Sequence, residues 1–190
     1  FYMNLGPTKN VGNYYGEDNE FWQQLVEHPN YDEFWQKRNI LPHLKEINHA
    51  VMTVGGWYDA EDLYGPLNIF KKIEADGRAK NNILIMGPWS HGDWSRERGK
   101  QIINHIYFGD SISTFYQKNI EMPFFTYYLK GKGELKLPKA YLFDPGLKEW
   151  QSFDVWPPQI ASTKLTFGEK GKLYINKPGN PESEIAYISD

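Results

Sequence analysis

Two short apolar runs, each ending in glycine, constrain the fold of this chain most strongly. The first spans residues 50–54 and leads into GGWYDAED, and the second spans residues 82–86 and leads into GPWSHG. Such runs are typical of strands buried on both faces of a parallel sheet. Between them, from about Glu61 to Ala79, apolar residues recur at helical spacing. The sequence therefore predicts a right-handed strand–helix–strand unit of an α/β fold.

Each predicted strand delivers one ionisable side chain just beyond its carboxyl end, Asp59 after the first and His91 after the second. Ligands and chemistry collect at this edge of open α/β sheets. The two residues therefore suit the acid and base of a Ser…Asp…His set in the chain order of α/β-hydrolases. An Asp and a His without a catalytic role remain the alternative, because residue spacing alone does not separate the two readings.

No serine of the chain lies in the G-x-S-x-G context of a nucleophile elbow. The chain begins at Phe1 and ends at Asp190 without an obvious terminating feature. We therefore expect a fragment of a longer protein, with the nucleophilic serine upstream. Such a fragment is expected to be inactive alone.

Composition excludes several functions. A net charge of −3 without a basic run argues against nucleic-acid binding. No apolar run approaches the roughly 20 residues that span a bilayer, so no membrane partner is expected. The absence of cysteine excludes thiolate chemistry, and no metal-ligand spacing such as H-E-x-x-H occurs, so neither metal nor cofactor is expected. The remaining histidines lack an acidic partner at a predictable spacing: His28, His43, His49 and His105.

Three regions follow from the pattern. Residues 1–49 suggest short helices and loops that either roof a site or decorate the surface, with Asn30 or Asp32 as a helix cap. Residues 50–133 form the C-terminal part of an α/β domain, and its helix over 111–130 is interrupted by Pro123 and ended by Gly131. Residues 134–190 turn to strand patterns, with hairpins over 140–153 and 164–175 that are expected to begin an all-β domain.

Other side chains near Asp59 and His91 have two readings. Glu61 and Asp62 either favour the start of the following helix or form an acidic wall that binds an ammonium group. The aromatic residues of the two loops either pack in the core or line a pocket: Trp57, Tyr58 and Trp89.

The stretches VGGWYDAEDLYG at residues 54–65 and MGPWSHG at 86–92 closely resemble the α-amino-acid ester hydrolases. These form a group of serine hydrolases with cocaine esterase, the glutaryl-type cephalosporin acylases and the X-Pro dipeptidyl peptidases. Further similarity occurs at residues 123–131 and 150–158. The resemblance implies an α/β-hydrolase domain with a helical cap and a C-terminal β jelly roll, of which residues 134–190 are the truncated start.

Position by position, the resemblance implies that Asp59 and His91 are the triad acid and base. It also implies that Glu61 and Asp62 belong to a carboxylate cluster that holds the α-ammonium of the acyl group. The implied function is a serine hydrolase or acyl transferase for small esters, amides or β-lactams of α-amino acids. Alternatives are an X-Pro dipeptidyl peptidase or glutaryl-type acylase, and, from another class, a carbohydrate-binding or adhesive β-sandwich. The resemblance favours a periplasmic or secreted location, and homo-oligomerisation of the longer protein stays open.

Overall fold

The computed structural model describes residues 1–15, 18–96, 99–168 and 172–176. The α-helices of this part are α1 (Tyr2–Leu5), α2 (Gly12–Tyr15), α3 (Glu20–Glu27), α4 (Glu33–Gln36), α5 (Tyr64–Asp76), α6 (Ile112–Tyr116) and α7 (Met122–Lys130). Its strands are β1 (Ala50–Gly56), β2 (Asn81–Gly87), β3 (Lys100–Ile103), β4 (Ile106–Asp110), β5 (Ala140–Asp144), β6 (Glu149–Phe153), β7 (Leu165–Phe167) and β8 (Leu173–Ile175). Single 3₁₀ turns cover Thr8–Val11, Leu41–His43 and Asp93–Ser95.

The predicted strand–helix–strand unit is present. β1 and β2 pair in parallel, in a register that runs from Ala50 opposite Asn81 to Gly56 opposite Gly87. The helix between them, α5, is shorter than the expected span of 61–79. It starts late because the Asp59 side chain accepts the backbone N–H groups of the two residues before Leu63 and holds them in a loop. It ends at Gly77, whose φ of 68° is the left-handed conformation of a helix C-cap.

The sheet is covered on both faces, and the alternation of side chains along β2 shows this. Ile83 and Ile85 belong to one core cluster, whereas Leu84 and Met86 belong to the other. The first cluster packs against α6, α7 and the segment between them, and the second packs against α5. All four side chains are completely buried, which explains why this strand is apolar throughout rather than alternating.

The expected domain division after residue 133 differs from the structure. The predicted hairpin over 140–153 exists as β5 and β6, but β5 adds in parallel to β2, giving the strand order β1-β2-β5-β6. These strands therefore extend the α/β sheet and do not start a separate layer. Strand periodicity alone predicts a hairpin without saying which sheet edge it joins, and here the second edge of β2 takes it.

Later elements agree with their patterns. The helix before Gly131 is interrupted as predicted: a π-helical segment, Gln117–Glu121, separates α6 from α7 immediately before Pro123. β7 and β8 form a separate antiparallel pair, and the turn expected between them lies partly outside the described residues. The antiparallel pair of β3 and β4 was not predicted.

The segment ahead of β1 consists of short helices and turns, as the sequence indicates. Asp32 caps α4, because its side chain accepts the N–H of Phe34 at 3.0 Å. Its role as a roof over a site stays a prediction. None of the described helices has the length and apolar character needed to cross a membrane.

Gly56 provides a test of how tightly the ends of β1 and β2 are packed. A Cβ at this position would lie 2.2 Å from the Trp89 carbonyl oxygen, which is backbone and cannot swing away. We expect Gly56→Ala to lower the free energy of unfolding by about 1–3 kcal/mol, as overpacking does. Thermal or urea unfolding measures the change.

The matched control is Gly99→Ala, because a Cβ there meets nothing within 4 Å. This variant should unfold like the parent chain. Equal stability of the two variants would contradict the close approach of the two loops.

Candidate active site

The loops that follow β1 and β2 are joined by two backbone hydrogen bonds beyond the end of the sheet. The Trp57 N–H donates to the Gly87 carbonyl at 2.9 Å, and the Tyr58 N–H donates to the Trp89 carbonyl at 3.0 Å. Gly87 allows this path, since a Cβ there would lie 2.3 Å from the Trp89 ring. The parallel pairing thus continues into both loops and fixes the backbone that leads to Asp59 and His91.

Asp59 is held from two sides. Its side chain is only 2% exposed; Oδ1 accepts the N–H groups of Glu61 at 2.8 Å and Asp62 at 3.0 Å, and Oδ2 contacts His91. Burial acts to raise the pKa of Asp59, but the backbone N–H groups and the His91 ring outweigh it, so its pKa lies below the ordinary value. The carboxylate is therefore ionised and fixed in orientation.

His91 completes the pair. Its Nδ1 lies 2.9 Å from Asp59 Oδ2, and this hydrogen bond and the nearby negative charges raise the pKa of His91 above 6.5. The ring is 53% exposed, and its Nε2 lies 3.9 Å from Glu61 Oε2. The carboxylate favours the tautomer with a proton on Nδ1, which leaves Nε2 able to accept a proton from a nucleophile.

A tight turn carries His91. The Asp93 N–H donates to the Ser90 carbonyl at 3.1 Å, and Gly92 has φ 73° and ψ 5°, the third position of a type II turn. The fully buried Asp93 carboxylate also accepts the Ser90 N–H and hydroxyl. His91 is thus at the second position of a turn closed by three hydrogen bonds. Sequence reasoning missed Asp93, although Ser-x-Gly-Asp spacing around the histidine was a readable turn signal.

The two acids after Asp59 differ in their contacts. Asp62 Oδ1 accepts the N–H of Gly65 at 2.7 Å, a capping bond at the start of α5. Glu61 has a 72% exposed side chain near His91 Nε2. Asp62 thus performs the structural role considered from sequence, while Glu61 stands beside the base. Neither contact tests the ammonium-binding role.

The three aromatic residues do not share one surface. Trp89 is completely buried in the core cluster on the α6–α7 face, so its expected place on a pocket wall is wrong for the described chain. Tyr58 packs against that same cluster, with its ring 5.1 Å from the ring of Phe108. Trp57 lies on the opposite face, where its indole N–H donates to the Phe143 carbonyl at 2.8 Å. Both stay partly exposed.

Three serine hydroxyls on or near the histidine loop are engaged elsewhere: Ser90 and Ser113 bond to Asp93, and Ser95 bonds to the Gly92 carbonyl. None of these bonds involves His91. The described residues also contain no group of three or more side chains suited to hold a metal ion.

The statement that His28 lacks an acidic partner is wrong. Its Nδ1 lies 2.6 Å from Asp32 Oδ2. His28 is the C-cap of α3 and Asp32 is the N-cap of α4. Their separation of four positions could have been read from the sequence. The pair follows no sheet strand.

Asp59 and His91 therefore form a hydrogen-bonded acid–base pair at the carboxyl edge of two adjacent parallel strands. An acid and a base at this edge of an α/β sheet with helices on both faces is also the arrangement of α/β-hydrolases.

Comparisons with known proteins find similarity to hydrolases. The family model of the X-Pro dipeptidyl-peptidase (S15 family) matches residues 9–93. Cocaine esterase from Rhodococcus sp. (strain MB1 Bresler) is 29% identical over 161 residues, covering 82% of this chain and 26% of that protein. These matches support the group of α/β-hydrolases that the two motifs indicate.

Solved structures show the same fold. An aminopeptidase from the marine sediment archaeon Thaumarchaeota archaeon superimposes with a TM-score of 0.82 at 27% identity, over 96% of this chain and 30% of that chain. An α-amino acid ester hydrolase superimposes with a TM-score of 0.80 at 24% identity, over 96% of this chain and 31% of that chain. The chain thus spans between 26% and 31% of the length of these proteins.

The titration of His91 tests the pair directly. Because its pKa is raised in the folded chain, protonated His91 contributes stability below pH 6.5 that is lost as the pH rises through the folded pKa. We expect Asp59→Asn to lower the NMR titration midpoint of His91, since the hydrogen bond that the ring donates to a charged acceptor is lost. An unmoved His91 midpoint would contradict the pairing.

Asp93 offers a second test. We expect Asp93→Ala to destabilise the chain by about 1–3 kcal/mol, because two partly buried donors of Ser90 lose their fully buried acceptor. The same variant should shift the His91 midpoint toward its ordinary value as the turn loosens. Chemical denaturation and NMR titration measure the two effects, and the exposed Asp154→Ala serves as control. Loss of stability with an unchanged His91 midpoint would limit Asp93 to a packing role.

Proposed function

We propose that this chain supplies the acid and the base of a serine hydrolase that cleaves esters or amides of substrates with a free α-amino group. The hydrogen bond of 2.9 Å between His91 Nδ1 and Asp59 Oδ2 carries the proposal. A fixed, ionised carboxylate orients the imidazole and stabilises it when it becomes charged. The exposed Nε2 side of the ring is where a nucleophile would be deprotonated.

In this mechanism the nucleophile is a serine in the part of the longer protein that this chain does not span. His91 takes the serine proton as the hydroxyl attacks the ester or amide carbonyl, and returns it to the leaving group. Water then resolves the acyl-enzyme, again with His91 as base. Asp59 stays ionised throughout, consistent with its lowered pKa.

The acids beside the pair support the substrate class. Glu61 is exposed, and its Oε2 lies 3.9 Å from His91 Nε2, so a bound ammonium there is close to the reacting carbonyl. Asp62 is the next residue in the chain. Its Oδ1 accepts the Gly65 N–H, and its Oδ2 takes no part in that hydrogen bond. Charge-assisted hydrogen bonds to such an ammonium are stronger than neutral ones. A substrate with a free amino end suits an amino-acid ester hydrolase and an X-Pro peptidase equally, and the family match at residues 9–93 favours keeping both.

Two finer assignments belong to the same proposal. Residues 1–49 would act as a helical cap over the site, and β7 with β8 would begin a C-terminal jelly roll. Their separation from the strand order β1-β2-β5-β6 supports the second assignment.

In the longer protein, Asp59→Asn and His91→Ala should each reduce kcat by roughly 10⁴-fold or more, as loss of a triad member does. His105→Ala is the control, because this exposed residue lies in the turn between β3 and β4. Steady-state kinetics on an amino-acid ester measures the effect. Full activity of His91→Ala would remove the assignment.

Glu61→Gln separates recognition from catalysis. We expect kcat/KM for an α-amino ester to fall by roughly 10–100-fold, the range of a hydrogen bond to a charged group. The matching ester without the amino group should lose less than about threefold on the same basis. Glu27→Gln, an exposed exchange at the end of α3, is the control. Equal losses on both esters would restrict Glu61 to another role.

A further inference from the structure

A pocket of about 460 Å³ lies between the segment ahead of β1 and the start of α5. Its size is within the range of small-molecule sites. It is lined by Tyr31, Trp35, Arg38, Asn39 and Tyr64. Tyr64 is the first residue of α5 and follows the Asp59 loop directly. The pocket is therefore adjacent to the loop that carries the catalytic acid and the two exposed acids.

Arg38 is held in place by a stack of side chains. Its guanidinium carbon lies 3.5 Å from the centroid of the Phe34 ring, and Nη1 donates to the Phe34 carbonyl at 2.8 Å. The Phe34 ring in turn stacks on His28, with centroids 4.2 Å apart and planes 8° from parallel. Asp32 binds both His28 and the Phe34 N–H. The guanidinium is thus preorganised, which lowers the entropic cost of ligand binding.

Within the described part of the chain the positive charge of Arg38 has no counter-ion, because none of the ion pairs there involves it. Of the five N–H groups of a guanidinium, one is bonded to the Phe34 carbonyl. No described residue accepts a hydrogen bond from the remaining N–H groups, which leaves them to bind an anion.

The other polar groups of the pocket also favour an anion. Tyr31 Oη accepts a hydrogen bond from Asn39 Nδ2 at 2.7 Å, so the Tyr31 hydroxyl hydrogen can be donated. Asn39 Oδ1 is engaged by the Leu41 N–H. Tyr64 adds a second hydroxyl, and none of the described residues that line the pocket carries a carboxylate. One cation, two hydroxyl donors and aromatic walls match a singly charged carboxylate on an apolar group better than a multiply charged phosphate.

We propose that this pocket binds a carboxylate on the leaving portion of the substrate, as in an amino acid, short peptide or β-lactam amine. The inference rests on the proposed function, which places the α-ammonium of the acyl portion at Glu61 and Asp62. Those acids precede Tyr64 by three and two positions, so an ammonium and a carboxylate would be bound on neighbouring parts of one surface. The substrate class is then zwitterionic, with the scissile bond between its two charges.

Binding to this chain tests the proposal without requiring turnover. N-acetylphenylalanine, which has a carboxylate but no ammonium, is titrated while the indole ¹H–¹⁵N signal of Trp35 is followed by NMR. N-acetylphenylalaninamide is the uncharged matched probe. We expect saturable binding of the acid and at least about tenfold weaker binding of the amide, corresponding to about 1.4 kcal/mol.

Arg38→Gln should weaken binding of the acid by about the same factor, and Arg38→Lys should restore part of it. Arg78→Gln, which removes a surface arginine paired with Glu46, should leave binding unchanged. If Arg38→Gln does not fold by circular dichroism, Tyr64→Phe replaces it, because Tyr64 is 70% exposed and outside the stack. Tyr64→Phe should weaken binding of the acid by about threefold, because one hydrogen-bond donor is lost.

Equal binding of acid and amide, or acid binding that both Arg38→Gln and Tyr64→Phe leave unchanged, would overturn the proposal. His91→Ala should bind the acid normally, so this measurement is independent of the catalytic assignment. A longer protein that cleaves α-amino esters through His91 while this chain shows no acid binding would reject the pocket and retain the proposed function.

Discussion

The parallel register of β1 and β2 is the constraint on which the site depends. It places Gly56 opposite Gly87 and then continues through two backbone hydrogen bonds into the loops that follow. The loops therefore leave the sheet at the same level, and the acid and base that they carry meet at 2.9 Å. Side chains of β2 alternate between the two buried clusters, and a slip of one position would move each of them into the opposite cluster. The apolar packing that stabilises the sheet therefore also fixes the distance between Asp59 and His91.

The electrostatics of the pair follow from unequal exposure. Asp59 is buried, which alone would favour its neutral form, but two backbone N–H groups and the imidazole reverse that tendency. His91 is half exposed and gains a raised pKa from the fixed charge behind it. A buried, immobile anion and an accessible base are what a proton-transfer step requires, since the anion orients the ring while the other nitrogen remains free to react.

The sequence predicted what depends on local pattern and failed where the partner was distant. Periodicity and the positions of glycine and proline predict the buried strands, their order with α5 and the break before Pro123. They also place Asp59 and His91 just beyond the ends of two strands. The residues of β5 do not determine which strand it pairs with. The pairing depends on β2, whose second edge is open to another strand. Trp89 was misplaced for a similar reason, because a ring on a loop beside the site can fold back over a glycine into the core.

The separation between fixed and exposed residues suggests how one fold serves different substrates. The acid–base pair is held by the sheet and by the buried Asp93 turn, so changes there disturb the core. Glu61 and Tyr64 are exposed, and they can change with little cost to packing. Similarity of this chain to proteins named as an esterase and as an aminopeptidase fits this division. Under the proposed function, the chemistry is set by the sheet edge, and the choice of substrate is set by side chains that surround it.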